Sequence, residues 1–107
     1  MRRAKKAYKE VLRSAKVYRY CLPEAMMLQG QYEWITGKPS SAQEWWEKSI
    51  KAAEEMGERY HLGMTHLEMG RRLNDRKHLK NAEAIFAEIG AEWDLAETRR
   101  LLERFQA

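Results

Sequence analysis

Three histidines, one cysteine and a short acidic run are the side chains here whose types could do chemistry. His61 and His66 lie five apart. Two ligands on one helix face want a spacing of three or four, so this pair does not read as a metal site. His78 belongs to a separate segment, and all three histidines are expected to be exposed or interfacial. Glu54, Glu55 and Glu58 could act as paired carboxylates, but no glycosidase-like context accompanies them, and a solvated helix face is the expectation. Cys21 has no Cys or His partner at motif spacing. Its neighbours Tyr20 and Leu22 mark it as a half-buried thiol rather than a nucleophile. The phosphate-loop, dinucleotide and zinc-protease motifs are missing. The reading is a chain with no catalytic, cofactor-binding or metal-ligating residues, and not an enzyme.

The elements that would hold any site must come from a short chain. Its 107 residues are the length of one small domain. Lys and Arg number 20 against 16 Asp and Glu, a formal charge of +4. Apolar residues make up 44%, enough for a core, yet no run approaches the ~18 apolar residues of a membrane span. Two prolines and six glycines leave little turn material for an all-β chain. A single cysteine excludes an internal disulfide and fits a reducing, cytoplasmic setting. The opening MRRAKKAYKE is basic with no apolar stretch behind it, so no signal peptide is read there.

Apolar spacing is helical almost throughout. Ala4, Ala7, Tyr8, Val11, Ala15 and Tyr18 line one face of a first helix over about 3–20. Pro23 interrupts and reads as the first turn of a second helix, which runs to about Ile35 with Ala25, Met26, Leu28, Tyr32 and Ile35 inward. Gly37 and Pro39 mark a loop. Ser40 or Ser41 is the expected N-cap of a third helix from Ser41 to Met56, with Ser41 and Glu44 at capping-box spacing. Trp45, Trp46, Ile50, Ala53 and Met56 are expected inward. A fourth helix spans about Glu58 to Leu73, a fifth Lys77 to Ile89, and a sixth holds Trp93, Leu95, Ala96, Leu101, Leu102 and Phe105. Short connections make these antiparallel neighbours.

Self-comparison adds an internal repeat. Shifting the chain by 33 lays Met56-Gly57 on Ile89-Gly90, Tyr60 on Trp93, Leu62 on Leu95 and Thr65 on Thr98. Shifting it by 40 lays Gly30, Ala42 and Trp46 on Gly70, Ala82 and Phe86. A glycine inside a helix costs ~1 kcal/mol against alanine, so its recurrence signals close approach of a neighbouring helix. Gly57 and Gly90 stand at helix ends, where a left-handed residue is wanted.

The triplets Gly30, Ala42, Trp46 and Gly70, Ala82, Phe86 resemble the tetratricopeptide repeat, over about residues 22–107. That signature places a small residue midway along helix A, an alanine twelve residues later in helix B, and an aromatic four residues further. Gln29 and Glu33 depart from it, standing at positions usually apolar, and Gly57 and Gly90 replace the closing proline. The resemblance implies antiparallel helical hairpins stacked as a short right-handed solenoid of about six helices. The units would be 22–57, 58–90 and a capping unit 91–107 after the first helix. A narrower likeness is to the C-terminal repeat regions of multidomain bacterial signalling ATPases and nucleotide cyclases. It rests on the Met-Gly and Ile-Gly helix ends with their following Tyr or Trp, and on Trp45-Trp46.

Such solenoids bind proteins on the concave face lined by the A helices. Gln31, Met64, His66, Arg71, Arg99 and Arg100 are the candidate partner-binding residues, with Glu24 beside them. A carboxylate clamp is not matched: Gln31 and Arg71 stand where asparagine is expected, and Glu68 where Lys, Arg or Asn is. The expected function is a non-catalytic protein-interaction module for a protein or peptide partner. Self-association through exposed stack ends is a further prospect. The alternative is nucleic-acid binding by the first helix: residues 1–20 carry +7, and the remaining 87 carry −3. Its Ala- and Tyr-rich apolar face argues against a membrane surface.

Overall fold

The computed structural model describes residues 22–105. The expected basic first helix and Cys21 lie outside them. Among the described residues the chain is all-helical: α1 (Leu22–Ile35), α2 (Pro39–Met56), α3 (Arg59–Leu73), α4 (Arg76–Ile89) and α5 (Glu92–Glu103). No helix among them is long and apolar enough to cross a membrane. The chain divides into two compact units, one ending at Gly57 and one starting at Glu58.

In the first unit α1 and α2 form an antiparallel hairpin. Pro23 sits in the first turn of α1, where its missing N–H costs nothing. Gly37, at φ 83°, turns the chain, and the Lys38 N–H returns to the Glu33 carbonyl at 2.8 Å. Proline decides the start of α2. Pro39 has a φ already suited to a helix, and the Ala42 N–H reaches the Lys38 carbonyl at 3.0 Å. The helix thus begins before Ser40 and Ser41, neither caps it, and the expected capping box is not used. Gly57 closes it in the left-handed conformation, its N–H shared by the Ala53 and Glu54 carbonyls.

The packing of this hairpin corrects the expected inner face of α1. Ala25, Met27, Gln29, Gly30 and Glu33 are buried, while Ile35 is 72% exposed. Trp46, fully buried, decides the register. Its indole lies so close over Gly30 that a Cβ there would fall 2.3 Å from Nε1. Turning Gly30 toward α2 brings Gln29 and Glu33 in with it, since all three share one side of the helix. Gln29 Nε2 answers by donating to Glu33 Oε1 at 3.0 Å. On α2 the buried set is Ala42, Trp46, Ser49, Ala52 and Ala53; Trp45, Ile50 and Met56 are only half-buried.

In the second unit α3, α4 and α5 run in succession, each packing on the next. Their ends are capped by side chains the sequence places there. The Glu58 carboxylate accepts from His61 N–H at 3.0 Å, and Asp75 Oδ1 accepts from Lys77 N–H at 2.9 Å. Asn74 and Gly90 are the left-handed residues that end α3 and α4. Leu67, Leu79, Ala82, Phe86 and Leu102 form the core, with Met64, Leu95, Leu101 and Phe105 packed around it. Phe86 seats on Gly63, whereas Gly70 faces Leu79. The glycine beneath the large aromatic is therefore Gly30 in one unit and Gly63 in the other.

Candidate functional site

The second unit holds a cleft of about 230 Å³ between α3 and α5. Met64, Leu67, Glu68 and Arg71 line it from α3, and Trp93, Asp94, Glu97 and Leu101 from α5. Each set repeats at three- or four-residue steps, so each is one helix face. Leu67, Glu68 and Asp94 are buried. Trp93 is 74% exposed, a large aromatic held in water beside an apolar bed. Exposed aromatics of this kind are the anchors that interfaces favour.

Charge around the cleft is partly spoken for. The buried Glu68 carboxylate receives Arg71 Nη2 at 2.5 Å and Arg72 Nε at 2.7 Å. Glu97 receives Arg100 Nη1 at 2.5 Å. Tyr60 donates its hydroxyl to Asp94, and burial together with that carboxylate's charge raises the Tyr60 hydroxyl above its ordinary value. The lining itself carries three carboxylates against one guanidinium.

The six residues expected on a binding face do not gather in one place. Met64 and Arg71 line the cleft. Arg100 stands beside it through Glu97. Arg99 turns to Glu83 of α4 at 3.2 Å, on the other flank of α5. Burial disfavours the charge on Glu83, but hydrogen bonds from Arg99 and Lys80 outweigh it and hold the carboxyl below its usual value. Gln31, half-buried on α1, belongs to the first unit. His66 faces α4 instead of the cleft: its Nδ1 lies 2.9 Å from Nδ1 of His78. Burial, and then the proximity of His78, push His66 down to about 4.

Of the eight cleft residues only Met64 and Arg71 were expected on a binding face; Leu67, Glu68, Trp93, Asp94, Glu97 and Leu101 were not. The match of Tyr60 to Trp93 marked the tryptophan as a repeat position, but not as exposed. The carboxylates singled out for acid–base work have other places: Glu54 and Glu55 are exposed, and Glu58 caps α3, also contacting His61 Nδ1.

Comparison with known proteins finds no matching family model, no matching curated protein and no matching solved structure.

Proposed function

We propose that this chain is a non-catalytic protein-interaction module of the tetratricopeptide kind, with the α3–α5 cleft as its binding face. The observation that carries the reading is exposed Trp93 standing over a cleft floored by Leu67, whose charged lining is three carboxylates against one guanidinium. Such a cleft suits a partner segment that offers an apolar side chain to the floor and a Lys or Arg to the indole face and Glu97. The resemblance to repeat regions of multidomain signalling proteins supports a role as the regulatory part of a larger protein.

A displayed peptide library selected against the wild-type protein and against Trp93→Ala tests this. Enrichment of sequences pairing basic with apolar residues, abolished by Trp93→Ala and weakened by Met64→Ala, is the expected outcome. Selection that ignores both substitutions overturns the cleft as the binding face.

The +7 charge of residues 1–20 supports a second reading, nucleic-acid binding. That reading requires affinity that falls steeply with salt and is lost on replacing Lys5, Lys9 and Arg13. Salt-insensitive binding excludes it.

A further inference from the structure

The histidine pair carries an inference independent of the cleft. We propose that His66 and His78 together bind a divalent transition metal of square-planar preference, copper(II) or nickel(II), through their Nδ1 atoms. The two nitrogens are 2.9 Å apart. Metal–imidazole bonds of about 2.0–2.1 Å spanning that separation meet at about 90°. That is the angle between neighbouring ligands in tetragonal copper or nickel sites, and it is narrower than the tetrahedral angle zinc takes.

The scaffold presents both rings without rearranging the backbone. Gly70 seated on Leu79 holds α3 close to α4, and Asn74 and Asp75 cap the helices on either side of the turn. The ring centroids are 5.2 Å apart with planes 32° from parallel. The nitrogens face each other head-on, so each ring turns by about 45° for both lone pairs to meet one ion, a rotation for which the broad histidine χ2 minimum leaves room. Both residues are half-buried, which leaves a path for an ion and for waters to complete its coordination.

The carboxylate of Asp75 lies beside the pair. Its Oδ2 is 4.0 Å from Nε2 of His78, the nitrogen that faces away from His66; this is too far for a hydrogen bond, and the carboxylate favours the Nε2–H tautomer through charge alone. With the His78 proton on Nε2, its Nδ1 accepts from the His66 Nδ1–H. Metal binding shifts the His66 proton to Nε2, leaving two neutral imidazoles and releasing no net proton. Among the described residues no group of three or more His, Cys, Asp or Glu converges, so this site has two protein ligands and is open and exchangeable.

The test titrates copper sulfate and nickel sulfate into the untagged full chain in a non-coordinating buffer, followed by visible absorption and electron paramagnetic resonance. The expected result is one copper per chain with hyperfine structure from two nitrogens. His66→Gln and His78→Gln each weaken binding at least about tenfold, and His61→Gln leaves it unchanged. Circular dichroism confirms that each variant is folded. Equal binding by the His66→Gln/His78→Gln double variant overturns the proposal. So does a wild-type spectrum without two-nitrogen hyperfine structure, whatever the variants do.

Discussion

The indole N–H of Trp46 donates to the main-chain carbonyl of Met27 at 3.2 Å, with Gly30 directly beneath the ring. The two residues come from opposite helices of the hairpin, so this one bond sets both the closeness and the register of α1 and α2. Ser49 repeats the device nearer the open end, its hydroxyl donating to the Pro23 carbonyl at 2.7 Å.

Gly30→Ala should therefore destabilise the protein despite the helix propensity that alanine adds. Overpacking a rigid, fully buried ring costs ~1–3 kcal/mol, and losing the buried indole bond ~1–3 more, against a gain of ~1. A net loss of about 2 kcal/mol, seen as a lower urea midpoint with unchanged slope, is expected. Unchanged or raised stability would show that the indole does not rest on this glycine.

Gln29 and Glu33 allow a double-mutant test. Both are buried, and Glu33 Oε2 has no hydrogen-bond partner. Gln29→Leu alone strands the carboxylate and should cost ~1–3 kcal/mol. Gln29→Leu with Glu33→Leu removes both polar groups and should recover that loss or exceed it by about 1 kcal/mol. Chemical denaturation of the three proteins gives the answer, and additive losses would contradict the prediction.

Acid should weaken the fold through His66. Above 6.5 the ring is neutral in both folded and unfolded chains, and pH has no leverage there. Between 6.5 and about 4 the unfolded chain takes up a proton that the folded chain refuses, so stability falls as pH falls. Below about 4 both states bind it and the loss levels off. By pH 5 this amounts to roughly 2 kcal/mol, and His66→Gln should remove that part of the slope. His66→Gln and wild-type curves that run parallel from pH 7 to 5 would refute the assignment.

Trp93→Ala should leave stability within ~0.5 kcal/mol of wild type, because the ring is mostly in water. Thermal melts of the pair check this directly. A variant that melts like wild type but has lost its peptide partners separates binding from folding.

Helix existence was legible wherever apolar spacing and glycine ends agreed, as from Glu58 to Gly90; the Glu58 and Asp75 caps were not read. The inner face of α1 was not. Met26, Leu28, Tyr32 and Ile35 form a plausible stripe, but a close approach at Gly30 outranks hydrophobicity, and it carries Gln29 and Glu33 inward. The start of α2 was misread for a similar reason: two serines suggested a cap, while Pro39 had already fixed the backbone. Met64 and Arg71 could be anticipated because both sit on a solvent-facing side of α3. The His66–His78 pair could not be, since its partners are twelve residues apart on different helices. Only the tight turn at Asn74 and Asp75 brings them together.

The placement of the tryptophans has a practical consequence. Trp34, Trp45 and Trp46 belong to the hairpin and Trp93 to the three-helix unit, with Trp46 sealed from solvent and Trp93 open to it. Each half of the chain thus carries its own optical reporters, a sealed Trp46 beside half-buried Trp34 and Trp45 in one and an open Trp93 in the other. Substituting phenylalanine for the tryptophans of one half would let fluorescence follow the other alone, and so measure whether the two melt cooperatively.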